Sequence, residues 1–234
     1  NPVRPMIRVL ATALAMLAAS APGGTAARAE ACLRGVNISG AEYGGPDGKV
    51  GTDYIYPSEE TLDWARERNM TAIRLPFRWE RLQPVLGGPL DAGELGRLKD
   101  SVQAANARGL TVILDPHNYA AYRDRKIGTG NVSVDALADF WRRLSPSFSG
   151  NPDVVFGLMN EPAGVTASVW YAAAQASVDA IREAGAGNLV LVPGTIWSGA
   201  SHWFDSQEGG SNAEVFEKLT DPGDRFAFEF HQYM

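Results

Sequence analysis

Cysteine is almost absent: Cys32 is the single one in 234 residues. One thiol excludes an intrachain disulfide and any zinc site built on cysteine. Histidine is nearly as scarce, with only His117, His202 and His231. That leaves few ways to build a metal centre, and neither a metal nor another cofactor is expected. No run of Lys or Arg occurs, and 21 basic residues stand against 27 acidic ones, a net charge of −6. Such a chain lacks the electrostatic footprint of a nucleic-acid or anionic-membrane binder, and neither partner is expected. Internal repeats, low-complexity tracts and signs of a second domain are also missing. What is present is ordinary globular composition, 45% apolar and 21% charged, enough for one sizeable core.

The N-terminal residues read as a targeting segment rather than as fold. Met6-Ile7-Arg8 precedes an apolar stretch over residues 9–21, then a Pro22-Gly23-Gly24 break and Ala27-Arg28-Ala29. A basic start, an apolar run too short to span a bilayer and small residues before a cleavage point describe a secretory signal peptide. Residues 1–29 are therefore expected to be an upstream remnant plus signal peptide, and 30–234 a secreted domain, extracellular or periplasmic. Residue 1 is Asn, and residues 226–234 read as a strand that stops. Both ends suggest a piece of a longer reading frame.

Apolar runs over 33–38, 72–77, 111–115, 154–159, 189–193 and 226–231 recur roughly 40 residues apart. Continuous apolar strands of this kind suit a parallel sheet covered by helices. Helical patterns fill the gaps: one from Ser58 to about Asn69, one marked by Leu95, Leu98, Val102 and Ala105, then 135–144 and 168–184. A fifth, short helix opens at the capping box Ser211-Asn212-Ala213-Glu214. Alternation at this spacing predicts an α/β fold, a (β/α)8 TIM barrel represented by about six of its eight units. The doubly wound alternative needs a tight glycine-rich first turn, and Gly44-Gly45-Pro46-Asp47-Gly48 is too loose and proline-broken for one.

Nearly every predicted strand ends in hydrogen-bonding residues: Asn37, Arg74, His117-Asn118, Asn160-Glu161, Thr195 with Trp197, and His231 with Tyr233. In a (β/α) barrel those ends converge on the face that carries the active site. Glu161 follows the apolar run Val155-Phe156-Gly157-Leu158-Met159. Burial there raises a carboxyl pKa and keeps a proton available for general-acid cleavage of a glycosidic bond. Asn160 is suited to bond the sugar 2-OH. The plainer reading of Asn160-Glu161-Pro162 is a helix start with proline at its first position. Of the tryptophans, Trp64, Trp141 and Trp170 lie in helical patterns and are expected to be packing. Trp79, Trp197 and Trp203 follow strands and are expected to be sugar platforms.

The segments Arg34-Gly35-Val36-Asn37, Ile73-Arg74-Leu75-Pro76, Asp115-Pro116-His117-Asn118-Tyr119-Ala120, Gly157-Leu158-Met159-Asn160-Glu161-Pro162, Pro193-Gly194-Thr195-Ile196-Trp197-Ser198-Gly199-Ala200 and Phe230-His231-Gln232-Tyr233 occur in that order. Together they resemble glycoside hydrolase family 5, in its endoglucanase-like branch. The resemblance implies a retaining endo-β-1,4-glucanase acting on cellulose or soluble β-glucans, monomeric and without a cofactor. Glu161 would be the general acid/base. Arg74, His117, Asn118, Asn160, Trp197, His231 and Tyr233 would contact substrate, with Arg74 also pairing with the nucleophile. The family nucleophile is a glutamate ending the seventh strand, which the chain does not reach, so the segment by itself is expected to be inactive. Glu229, sharing strand parity with His231 and Tyr233, is expected to be a buried structural acid. Alternatives are a mannanase or xyloglucanase built from the same parts, or a carbohydrate-binding fragment without hydrolysis. A metal-dependent hydrolase using Asp115, His117 and His231 lacks a paired His-x-His on its first strand.

Overall fold

A computed structural model describes residues 32–233. The expected signal segment 1–29 lies outside the described residues. In chain order the elements are β1 (Gly35–Asn37), α1 (Glu59–Glu67), β2 (Ala72–Phe77), α2 (Trp79–Leu82), α3 (Ala92–Asn106) and β3 (Thr111–Pro116). A short hairpin, β4 (Ala121–Tyr122) and β5 (Arg125–Lys126), leads to α4 (Asp135–Leu144) and β6 (Val154–Gly157). Then come α5 (Ala167–Glu183), β7 (Val190–Pro193), α6 (Asn212–Phe216) and β8 (Phe226–Glu229). All fall within the unit Leu33–Met234.

β1, β2, β3, β6, β7 and β8 form one sheet in that order, each pair parallel. Six parallel strands with helices between them are the six β/α units that the periodicity predicts. Local chemistry starts the helices where expected. Ser58 accepts from the Thr61 amide, Asp91 from Glu94 and Thr166 from Val169, and the Ser211–Glu214 capping box is complete. The sequence gives no warning of α2 or of the β4–β5 hairpin, both too short for a periodicity to register.

Strand alternation divides the sheet's two faces between stability and chemistry. Ile73, Leu75, Phe77, Val112, Leu114, Val154, Phe156, Val190 and Val192 are fully buried in one core cluster with Leu62, Leu98, Phe140, Trp141 and Trp170 from the helices. Each such side chain is worth about 1.5–3 kcal/mol. The opposite face of the sheet carries Arg74, next to Ile73, Asp115, next to Leu114, and Glu229 at the end of β8. The helix-facing side supplies the burial, so the inner side can hold charge.

Three tryptophan expectations are corrected. Trp79 opens α2, is fully buried and bonds Gln83, so it is core rather than sugar platform. Trp203 is buried against Phe216, Phe228 and Phe230. Trp64 is the reverse case: it is exposed on α1 and stacked by Arg68, not packed into the barrel. Trp141 and Trp170 are fully buried as expected.

Candidate active site

Arg74 is the hub at the carboxyl end of the sheet. Its Nη1 lies 2.7 Å from Asp115 Oδ2 and donates to Asn37 Oδ1 at 3.2 Å. Its Nη2 donates to Asn160 Oδ1 at 2.8 Å and reaches Glu229 Oε1 at 3.3 Å. One guanidinium thus joins β1, β2, β3, the segment after β6, and β8. A half-buried Arg is held well by such multiple charge-assisted bonds. Its expected partner, a nucleophile carboxylate, is replaced among the described residues by Asp115 and Glu229.

The turn after β6 fixes Glu161. The Asn160 amide donates to Pro116 O at 2.9 Å, and Asn160 O accepts from the Tyr119 amide at 3.2 Å, so the β3 and β6 ends are tied together. Glu161 then adopts φ +41°, a left-handed conformation that costs a non-glycine residue about 1–3 kcal/mol. Helix α5 begins only at Ala167, which removes the helix-start explanation of Asn160-Glu161-Pro162. Glu161 Oε1 accepts from His231 Nδ1 at 2.6 Å and from the Tyr233 hydroxyl. His231 Nε2 faces Glu229 Oε1 at 2.9 Å.

These contacts reverse the expected electrostatics of Glu161. Burial does push its carboxyl pKa up, as the sequence suggests. Donors from Tyr233 and His231, with the charge of the nearby imidazoles, outweigh burial and hold the group below the usual carboxylate value. The hydrogen bond with Glu229 raises His231, burial opposes it, and the contact with Glu161 adds to the rise.

Trp197 sits on an unusual turn. Ile196, Trp197 and Ser198 have φ of +55°, +54° and +56°, three left-handed residues in succession. The turn is pinned from several sides. The Trp197 amide donates to Pro162 O, and Ser198 Oγ accepts from the Gly194 amide and donates to Glu229 O. The His231 amide donates to Ser198 O at 2.9 Å. The indole stays 54% exposed beside the Glu161 turn.

Arg74, His117, Asn160, Glu161, Trp197, His231 and Tyr233 therefore gather at one end of the sheet, but Asn118 does not join them. Its Oδ1 accepts from the Trp79 amide at 2.9 Å and its Nδ2 donates to Glu80 at 2.7 Å, so the buried amide locks α2 and cannot face substrate. Thr195 is similarly used by Asn212 and Gln207. Two acids were undervalued. Asp115 holds both Arg74 and His117 Nδ1, the latter at 2.7 Å, and Glu229 holds both Arg74 and His231. The available signal was an acid two residues before each of these two histidines, His117 and His231, which strand parity places on the same face. Tyr119, at φ +52° and bonded to His117 Nε2 at 3.2 Å, was also missed as a site residue. Among the described residues no group of three or more His, Cys, Asp and Glu is arranged to hold a metal ion.

The profile of the cellulase family, glycosyl hydrolase family 5, matches residues 26–234. Endo-beta-1,4-glucanase A of Emericella nidulans is 35% identical over 206 residues, covering 86% of this chain and 60% of the relative. Manganese dependent endoglucanase Eg5A of Phanerodontia chrysosporium is 32% identical over 209 residues, covering 86% and 53%. XacCel5A, solved in complex with cellopentaose, superposes with a TM-score of 0.83 at 50% identity, covering 86% of this chain and 64% of that one. The endo-beta-1,4-glucanase Xac0029 from Xanthomonas axonopodis pv. citri gives 0.83 at 42% identity, covering 86% and 65%. The chain thus spans about three fifths of the length of these relatives. A profile match over most of its residues, on a parallel β/α sheet with Arg74, Asn160 and Glu161 joined at one end, establishes that the chain belongs to glycosyl hydrolase family 5, the cellulase family.

Proposed function

We propose that the protein is a retaining endo-β-1,4-glucanase that cuts internal bonds of cellulose or soluble β-glucans, with Glu161 as general acid/base. The observation that carries this reading is the setting of Glu161. It stands in a left-handed turn, with Oε1 held by His231 and Tyr233, next to Asn160. Asn160 Nδ2 is buried without a partner among the described residues, which leaves a donor for a sugar hydroxyl. The endo-beta-1,4-glucanase relatives and the cellopentaose complex support the substrate class.

In the first step Glu161 protonates the leaving glycosidic oxygen while a second carboxylate attacks the anomeric carbon. In the second step Glu161 takes a proton from the incoming water. Asp115 and Glu229 are poor candidates for the attacking group, since each is engaged with Arg74 and a histidine. The nucleophile is therefore taken to be a glutamate outside this chain. Arg74 and His117 line the sugar subsite, and Trp197 offers its exposed face to a pyranose ring. Residues 30–234 are read as part of the catalytic domain of a monomeric enzyme, and residues 6–29 as its secretory signal. No helix among the described residues is long and apolar enough to cross a membrane.

The test uses the protein from the full reading frame on carboxymethylcellulose, mannan and xyloglucan. A rapid viscosity drop on carboxymethylcellulose, with the β-anomer of the product seen first by NMR, is the expected result. Preference for mannan or xyloglucan would reassign the substrate. An α-anomer first, or no hydrolysis, would overturn the mechanism.

A further inference from the structure

Both histidines of the site are preceded by an acid at i−2, yet the two pairs are wired differently. His117 Nδ1 faces Asp115, and its Nε2 faces the Tyr119 hydroxyl, which can donate. A neutral imidazole satisfies both contacts. His231 instead has a carboxylate oxygen at each nitrogen, Glu161 at 2.6 Å and Glu229 at 2.9 Å. Carboxylates only accept, so both contacts are satisfied only by an imidazolium, or by a proton moved onto one of the carboxyls. The groups that face this pair are Arg74 from β2, Asp115 from β3, His117 and Tyr119 after it, Glu161 after β6, and Glu229 and Tyr233 from the β8 segment. Three of these are carboxylates against one fixed cation, so the local charge favours a second cation at His231.

The two donors on Glu161 converge on one atom. His231 and Tyr233 both meet Oε1, whereas Oε2 has no partner among the described residues and is not among the fully buried orphan atoms. An oxygen that already accepts two hydrogen bonds is a poor place for a proton.

Building on the reading of Glu161 as acid/base, we infer that Glu229 is a positioning residue for the acid step. It holds His231 in the doubly protonated form, so Glu161 Oε1 always accepts and the proton Glu161 delivers resides on Oε2, the oxygen open to the cleft. Without the Glu229 charge, His231 relaxes to the neutral Nε2–H tautomer. Its Nδ1 lone pair then draws the Glu161 proton onto Oε1, where it faces His231 instead of the leaving oxygen. His231 releases one proton to solvent in that change, and the proton that Glu161 keeps moves from the working oxygen to the idle one. The raised pKa of His231 agrees with this arrangement.

Long-range nitrogen–proton NMR of the histidine rings distinguishes imidazolium from each neutral tautomer, and His231→Gln assigns the signals. In the protein from the full reading frame, His231 should show both nitrogens protonated at pH 7, above the ordinary histidine value of about 6.5. In Glu229→Gln it should become the Nε2–H tautomer at the same pH, with its acidity constant raised about tenfold or more and His202 unmoved. The rate loss in Glu229→Gln should be steepest for substrates with poor leaving groups, which need protonation most. A neutral His231 in the unaltered protein overturns the inference whether or not Glu229→Gln folds. So does an unchanged imidazolium in a folded Glu229→Gln, and Glu229→Asp, which keeps the charge, should restore the unaltered spectrum. If Glu161→Gln retains full activity, the acid/base reading fails while the imidazolium can still stand. If Glu161→Gln is disabled and His231 is neutral, only the present inference fails.

Discussion

Glu161 is controlled by its immediate neighbours more than by its depth. Burial alone would raise its pKa, and the donors His231 and Tyr233 reverse the sign. Removing one donor should therefore move the group back up. Tyr233→Phe deletes the hydroxyl on Oε1 and keeps the ring, which favours the protonated form. The alkaline limb of the kcat/KM–pH profile should shift to higher pH by about half to one unit. A limb that moves down, or stays, would show that Tyr233 does not tune Glu161. This is also where the sequence was least legible. It placed Arg74, Asn160, Glu161, His231 and Tyr233 together through strand-end position, and they do meet. It could not give the sign of the Glu161 shift, because that depends on which oxygen two residues some 70 positions away happen to meet. It also grouped Asn118 with His117 beside it, although parity alone sends adjacent residues leaving a strand to opposite sides.

At the scale of elements, strands and helices were legible wherever they were long or capped. β2 and α4 fall on the expected residues, and the capping box at Ser211 starts α6. β6 ends at Gly157, two residues short of Met159, as the chain turns toward the left-handed Glu161. The turn holding Trp197 was not legible at all: nothing in Thr195-Ile196-Trp197-Ser198 announces three left-handed residues. Ser198 makes that conformation possible, with its buried Oγ bridging the Gly194 amide and Glu229 O. Ser198→Ala leaves both backbone groups without that partner, a loss of about 1–3 kcal/mol. Thermal melting should show the destabilisation, and KM for a cello-oligosaccharide should rise as Trp197 loses its fixed position. A variant with the parent melting temperature and KM would mean that the turn is held without Ser198.

Across the whole molecule, the position of β8 depends on an ion pair far from the chemistry. Arg182 at the end of α5 makes a two-pronged contact with Asp221, Nε–Oδ1 at 2.8 Å and Nη2–Oδ2 at 2.7 Å. Asp221 also accepts from the Gly223 and Arg225 amides, and Arg182 donates to Arg225 O, so the loop entering β8 is clamped. Arg182 holds the Asp221 carboxyl down at about 2, below its ordinary 3.8. A depressed folded-state pKa contributes stability above the unfolded value and loses it as pH falls through the folded one. The window is thus pH 3.8 down to about 2. Asp221→Asn should cost about 2–4 kcal/mol at neutral pH by leaving Arg182 without its charge partner. The gap between variant and parent should close as melts are repeated toward pH 2. A constant gap would show that charge is not what Asp221 contributes. Length and spacing had made the β/α count legible, but they carry no information about such a clamp, which joins positions 39 residues apart through side chains alone.

The most direct measurement of the account is made on Glu161→Gln in the protein from the full reading frame, by stopped-flow release of dinitrophenol from a dinitrophenyl cellobioside. Glutamine keeps the shape and removes the exchangeable proton. This leaving group needs no protonation, so the first step should survive as a fast burst. The second step, which needs Glu161 as base, should be slow, and added azide should speed it by replacing water as acceptor. Turnover of cellulosic substrates should fall by about 10²–10⁴-fold. If the burst is absent and azide has no effect while the fold is intact, Glu161 is not the acid/base.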